Sequence, residues 1–314
     1  MSTRMRMRDA GYGTREVVSA RSRSAFRIPH PMLNHTLPYP HPITIMRHLL
    51  LSLALLTAAS PALAQEPQSG TQSGNTWTWS DRIAPGQWVI VRSLNGPITV
   101  ERATGDKVEV TATKHFDRGR ASDVRFEVAR FGQDQGSVVI CAIWEDGDTE
   151  CDENGYRHES RGHDRSNNVE VEFRVRVPAG VRVGMHTVNG DVSIDGATAQ
   201  VRAGTVNGSV AVTTAQGPVD ASTVNGGVDV RIGALPGDDD MSFSTVNGSV
   251  RLSLPTSFGG EVDLRTVNGS FSTDWPMTIT GRMNPRHLHA TIGTGTRRLK
   301  ASTVNGDVVL RKNG

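Results

Sequence analysis

Cysteine is almost missing from this chain: Cys141 and Cys151 are the only two in 314 residues. With His158 and His163 they come nearest to a metal-ligating set, and their spacing fits no familiar zinc pattern. Long apolar runs are scarce too. The longest, Leu49 to Ala59, is too short to span a bilayer comfortably. There is no Gly-x-Ser-x-Gly, no phosphate loop and no zinc signature, so the common nucleophile, nucleotide and metal chemistries lack their motifs. A strong excess of charge is also absent, the balance being +2. Residues 1–64 supply eight basic and two acidic residues; without them Lys and Arg fall from 34 to 26, Asp and Glu from 32 to 30, and the balance becomes −4. Nothing basic then remains to argue for a nucleic-acid partner.

What the chain has in abundance is one four-residue word. Thr-Val-Asn-Gly begins at Thr187, Thr205, Thr223, Thr245, Thr266 and Thr303, with a looser copy at Ser93-Leu94-Asn95-Gly96. From Asn189 to Asn207, Asn225, Asn247, Asn268 and Asn305 the spacings are 18, 18, 22, 21 and 37. Apolar residues alternate on both sides of the word, as in Val201/Ala203 before it and Val210/Val212 after it, which is the period of a strand. Each copy therefore reads as strand, corner, strand with one apolar face, and periods near 20 point to one solenoid turn per copy. One coil buries too few aliphatic side chains to offset its ordering entropy, so coils must stack.

Stacking would set Asn95, Asn189, Asn207, Asn225, Asn247, Asn268 and Asn305 in a row about 4.8 Å apart, close enough for a ladder of amide hydrogen bonds. At the corner we expect the Val to turn inward as the chain bends and the Thr to form an outward column. Gly follows Asn because the bend calls for positive φ. The rival reading is a meander of hairpins, since Asn-Gly between alternating strands is also the strongest type I′ turn signal.

Taken in order, residues 1–45 lack an apolar period and read as disordered, or as an upstream extension from a start codon placed too early. A transit peptide or a nucleic-acid arm is the alternative for that basic segment. Residues 46–64 read as a secretory signal peptide: a basic opening at Arg47, the apolar run, and Ala62-Leu63-Ala64 as a small-x-small site. Its implication is a periplasmic or secreted protein with no transmembrane anchor after cleavage; a retained anchor is the weaker reading. No Cys follows the site, which argues against lipid attachment. Residues 65–76 are expected as a flexible linker. Residues 77–180 form an N-terminal β region with a polar loop at 145–168, in which Trp77 and Trp79 read as a cap and Asn95-Gly96 as the first corner. Residues 181–314 are the repeats. Between Asn268 and Asn305 either a coil has lost its word or a corner makes a long excursion, and Arg311-Lys312-Asn313-Gly314 reads as a charged stop over the last edge.

In an exported chain the pair Cys141 and Cys151 is expected to form a disulfide. Glu150-x-Asp152-x-Asn154-Gly155 has the outline of a calcium loop, but it starts with Glu and carries Arg161 where a bidentate Glu belongs. His287 and His289 share a strand face without a third ligand. Asp229 and Arg251 would be neighbours in a stack and read as a surface ion pair. No catalytic, cofactor-binding or metal-ligating residue is therefore assigned, and no cofactor.

The signal peptide, the strand-rich region, Val177-Pro178-Ala179-Gly180-Val181 and the stacked T-V-N-G-x-V-x-V units together resemble an uncharacterised β-strand-repeat family labelled "putative adhesin", related to autotransporter adhesin heads. The resemblance spans about residues 77–314. It implies an all-β, solenoid-like fold and export, and it carries no catalytic residues to transfer. No C-terminal membrane-barrel pattern is present. The expected function is a non-enzymatic, adhesin-like binding or structural role in the cell envelope, with a glycan or protein as partner. A solenoid enzyme acting on polysaccharide is the alternative, and an ice- or crystal-binding surface on the Thr column is a remote third.

Overall fold

The structure, a computed structural model, describes residues 70–117, 119–144, 149–158, 168–279 and 284–313. The expected upstream extension (1–45), the signal peptide (46–64) and residues 65–69 lie outside the described residues. So do most of the polar loop and the side chains of His158 and His163. All described residues belong to one compact unit, Ala62–Gly314.

Among the described residues the chain is all-β apart from a single 3-10 turn at Ala121–Asp123. Strands β1 (Thr71–Ser73) and β2 (Thr76–Asp81) pair with each other, so residues 70–76 are not the flexible linker the composition suggests. Strands β3 (Trp88–Arg92) and β4 (Ile98–Arg102) form the first coil around Asn95. Next come β5 (Val108–His115), β6 (Val124–Phe131), β7 (Ser137–Trp144), the small hairpin β8 (Thr149–Cys151) and β9 (Tyr156–His158), and β10 (Glu170–Val177).

The regular coils follow as pairs flanking each corner. They are β11 (Arg182–His186) with β12 (Val192–Ala197), β13 (Val201–Gly204) with β14 (Val210–Gln216), β15 (Val219–Ser222) with β16 (Val228–Ala234), and β17 (Met241–Ser244) with β18 (Val250–Leu254). The pair β19 (Gly260–Arg265) and β20 (Phe271–Thr273) makes another coil. After β21 (Thr278–Ile279) and β22 (His287–Ile292), β23 (Arg298–Ser302) and β24 (Val308–Lys312) make one more.

The two members of each pair belong to different sheets. One eleven-stranded sheet runs β1-β2-β5-β10-β4-β12-β14-β16-β18-β24-β20, the other β21-β22-β19-β23-β17-β15-β13-β11-β3-β7-β6. From β4 to β20, and from β7 to β19, every neighbour is parallel. A hairpin meander would pair consecutive strands antiparallel, so this is a β-solenoid-like stack. In-register apolar residues line its interior: Val192, Val210, Val228, Val250, Val308 and Phe271 succeed one another across one sheet. The valines belong to one continuous core with their counterparts on the facing sheet, such as Val201, Val219, Met241 and Leu299, and half-buried Phe271 packs against it.

The N-terminal end is closed. β7 and β10 act as one further half-turn on each sheet, running parallel to β3 and β4, with the polar loop in place of the four-residue word. Antiparallel β6 covers one sheet, and antiparallel β5 and β2 cover the other. Trp77 and Trp79 point into this cap, each 4% exposed, and the Trp77 ring stacks on Phe126 at 4.7 Å.

At the other end the chain departs from its own order. The last coil, β23–β24, lies between β17–β18 and β19–β20. The long interval between Asn268 and Asn305 is thus an excursion, through β21 and β22, and Arg311 and Lys312 end an internal strand rather than covering the final edge.

Candidate functional site: the stacked corners and the stapled hairpin

The corner assigns a separate task to each letter of its word. Thr points inward, against the sequence expectation: Thr187, Thr205, Thr223, Thr245, Thr266 and Thr303 are all buried. Each hydroxyl donates to the Gly carbonyl of the adjacent coil, as in Thr223 Oγ1 to Gly208 O at 2.7 Å and Thr245 Oγ1 to Gly226 O at 2.8 Å. The Gly is required because the coils nearly touch there. A Cβ on Gly208 would lie 2.2 Å from Gly190 O, at a φ of +157°. The carbonyl made accessible by Gly is the one that Thr needs.

The Asn amides form an unbroken run of side-chain hydrogen bonds. Asn207 donates to Asn189, Asn225 to Asn207, Asn247 to Asn225, Asn305 to Asn247 and Asn268 to Asn305, each at 2.8 Å. All point the same way, so each amide polarises the next. Asn95 sits in the row by backbone pairing with Asn189, but its amide donates to Val169 O at 3.1 Å, and Asn189 donates to Leu94 O at 3.4 Å.

The Val of the word faces solvent, again against expectation. Val206, Val224, Val246 and Val304 are 37–38% exposed and Val267 is 49% exposed. Neighbouring parallel strands repeat at about 4.8 Å, so these side chains form an apolar ridge beside the Asn ladder. With the Thr column inside, the premise of an ice-binding surface is gone.

A second distinctive surface lies on the outer face of β3, β7 and β11. Cys141 and Cys151 are joined by a disulfide. The bond fixes the β8–β9 hairpin over Ile90, Val139 and Ile143, giving a small apolar cluster outside the main core. Tyr156 adds to it and donates its hydroxyl to Ala142 O at 2.7 Å; burial pushes its phenol pKa up. Arg92 Nε donates to Asp152 O at 3.0 Å and its Nη2 to Glu153 O, and burial lowers its pKa. Next to it His186 is held neutral, its pKa lowered to about 4 by burial and then by the guanidiniums of Arg92 and Arg202. Arg202 lies 4.7 Å from the Trp88 ring and Arg182 5.9 Å from it.

The remaining sequence candidates fall apart or take structural parts. Asp152 accepts from the backbone of Asn154 and Gly155 and from Arg157, so it shapes the hairpin turn. Arg161 lies outside the described residues. The run Asp238-Asp239-Asp240, not among those candidates, is structural too: Asp238 accepts from Thr296 Oγ1 and Asp240 from the Arg298 backbone N–H, tying the last coil in place. His287 stands 3.2 Å from Asp263. Asp229 and Arg251 are register partners, as stacking requires. Among the described residues no group of three or more His, Cys, Asp or Glu is placed to hold a metal.

Strand pairs stacked in parallel, with a hydrogen-bonded Asn row at each corner, define a β-solenoid repeat protein. Residues 87–311 match the Toastrack DUF4097 family, and the chain belongs to that family. No curated protein matches the chain. Solved structures similar to it include the following three. A "putative cell adhesion protein" from Clostridium sporogenes has 9% identity, a TM-score of 0.37, and coverage of 75% of this chain and 99% of that one. A "putative adhesin" from Bacteroides fragilis has 12% identity, a TM-score of 0.33, and coverage of 77% and 98%. A "putative adhesin" from Parabacteroides merdae has 8% identity, a TM-score of 0.25, and coverage of 77% and 98%. These likenesses are too distant to bear on function.

Proposed function

We propose that this protein is a non-enzymatic, exported component of the cell envelope, periplasmic or secreted, that works through multipoint contact with an envelope protein or glycan. The observation behind this reading is the Val ridge. Thr, Asn and Gly of each word are used up in holding coil to coil, whereas the Val is left outside at five of the six corners, Val188 alone being half-buried. Its repetition offers a partner several equal, weak contacts, a route to useful avidity without a deep pocket. Among the described residues no helix is long and apolar enough to cross a membrane. Export rests on residues 46–64.

The test is cross-linking of the mature protein in its own envelope, pull-down and mass spectrometry, repeated with Val206, Val224 and Val246 changed together to Ser. A specific partner lost in the triple variant supports the reading. A deletion strain with unchanged envelope and attachment phenotypes, together with no captured partner, would count against it. Turnover on a glycan panel that disappears in Asp229→Ala would replace it with the polysaccharide-enzyme reading.

A further inference from the structure

β23 and β24 come last in the chain, yet β23 lies between β17 and β19 and β24 between β18 and β20. Residues 298–312 therefore fill a slot between two coils built from earlier sequence. Leu299, Ala301, Val308 and Leu310 are fully buried there. Thr303 Oγ1 donates to Gly248 O at 2.8 Å and Thr266 Oγ1 to Gly306 O at 2.9 Å, while Asn305 links Asn247 to Asn268 in the amide row. These are the same bonds that join every regular coil to its neighbour, so nothing in them depends on which molecule supplies the segment.

We propose that the slot is an exchange site whose other occupant is residues 298–312 of a second copy, so that two chains trade these coils and form a dimer of complete stacks. Three observations favour exchange. The traded segment keeps all its contacts, so the closed and exchanged forms differ only in the connection and in association. That connection, Gly293–Arg297, has to fold back tightly over the start of β19: a Cβ on Gly259 would lie 2.0 Å from Thr294 O, and one on Gly260 2.4 Å from Arg297 O. Gly293 and Gly295 take φ of +55° and +147°, and such a cramped return is a point where opening is easily favoured. Finally, β17 to β20 precede the segment in the chain, so while the slot is empty β17, β18, β19 and β20 expose open edges that accept any matching strand.

The experiment uses the full chain with Arg251→Cys and Val309→Cys, register partners on β18 and β24. Protein is refolded from urea at about 1 μM and about 500 μM, concentrations set by the mass-action character of exchange. Dimer and monomer are separated by size, oxidised, run on a non-reducing denaturing gel, and the new disulfide is mapped by peptide analysis. The proposal expects a dimer fraction that grows with concentration and runs as a covalent dimer, with position 251 of one chain bonded to position 309 of the other. A dimer that dissociates to single chains, each with an internal bond, would be a pairing of closed monomers and would overturn it. Absence of dimer at both concentrations would overturn it as well. Independently, deleting Thr294 and Gly295 shortens the return path and should raise the dimer fraction about tenfold; an unchanged fraction contradicts the proposal.

Discussion

Thr and Val have nearly the same shape, so exchanging them at adjacent corner positions isolates which one faces the core. Thr223 is 5% exposed, and its hydroxyl donates to Gly208 O at 2.7 Å. Thr223→Val keeps the volume but removes the donor and leaves a buried carbonyl short of a partner. The expected cost is about 1–2 kcal/mol. Val224 is 38% exposed, so Val224→Thr places a hydroxyl where water satisfies it and should shift stability by no more than about 0.5 kcal/mol. Equilibrium urea unfolding followed by circular dichroism separates the two. With a slope of about 3 kcal/mol/M, Thr223→Val lowers the midpoint by about 0.5 M while Val224→Thr leaves it within about 0.2 M. The reverse order, with Val224→Thr the damaging change, would mean that the corner is turned the other way and would refute the assignment of the Val ridge.

Other outcomes follow from the same geometry. Gly208→Ala should destabilise by about 3 kcal/mol or more, since its Cβ would meet Gly190 O at 2.2 Å at a φ of +157°; Gly227→Ala, whose nearest neighbour is 3.6 Å away, should be close to neutral in the same unfolding assay. Replacing Cys141 and Cys151 together by Ser opens a bridge between residues ten apart and should cost about 2–3 kcal/mol. Deuterium exchange should then accelerate at Thr149–Cys151 and Tyr156–His158, with the coils unaffected. His186 titrates near 4 in the fold against an ordinary 6.5, so the unfolded chain binds the extra proton between those values. Its contribution is complete above about pH 6.5 and is lost as pH falls toward 4, by about 3 kcal/mol. Urea midpoints from pH 4 to 7 should show that slope in the natural chain and a shallower one in His186→Gln.

The sequence carries much of this architecture because the coils repeat it. The alternation Val219, Ala221 and Val228, Val230 marks the inward positions on both sides of the corner, and the recurring Asn marks the row. The facing of Thr and Val was readable too. Continuing the period of two from Val219 and Ala221 puts Thr223 inside and Val224 outside, and only the apolar character of Val suggests otherwise. A buried hydroxyl satisfied by a backbone carbonyl outweighed that preference. The position of the last coil was not readable. Identical words at Thr245, Thr266 and Thr303 fit one another in any order, and the choice depends on how far the 255–259 and 274–297 connections reach. Nor could the two cysteines announce the cluster around Ile90, Val139 and Ile143, because those residues look like ordinary strand positions until the hairpin lies on them.

The coils share one Asn row in the order 247, 305, 268, and cysteine pairs placed in that row test this most directly. In the monomer, Asn247→Cys with Asn305→Cys places the two residues about 4.8 Å apart, within disulfide reach, whereas Asn247→Cys with Asn268→Cys separates them by about 9.6 Å, beyond it. Mild oxidation should close the first pair within one chain and leave the second as free thiols. Closure of the 247–268 pair with the 247–305 pair open would contradict the account.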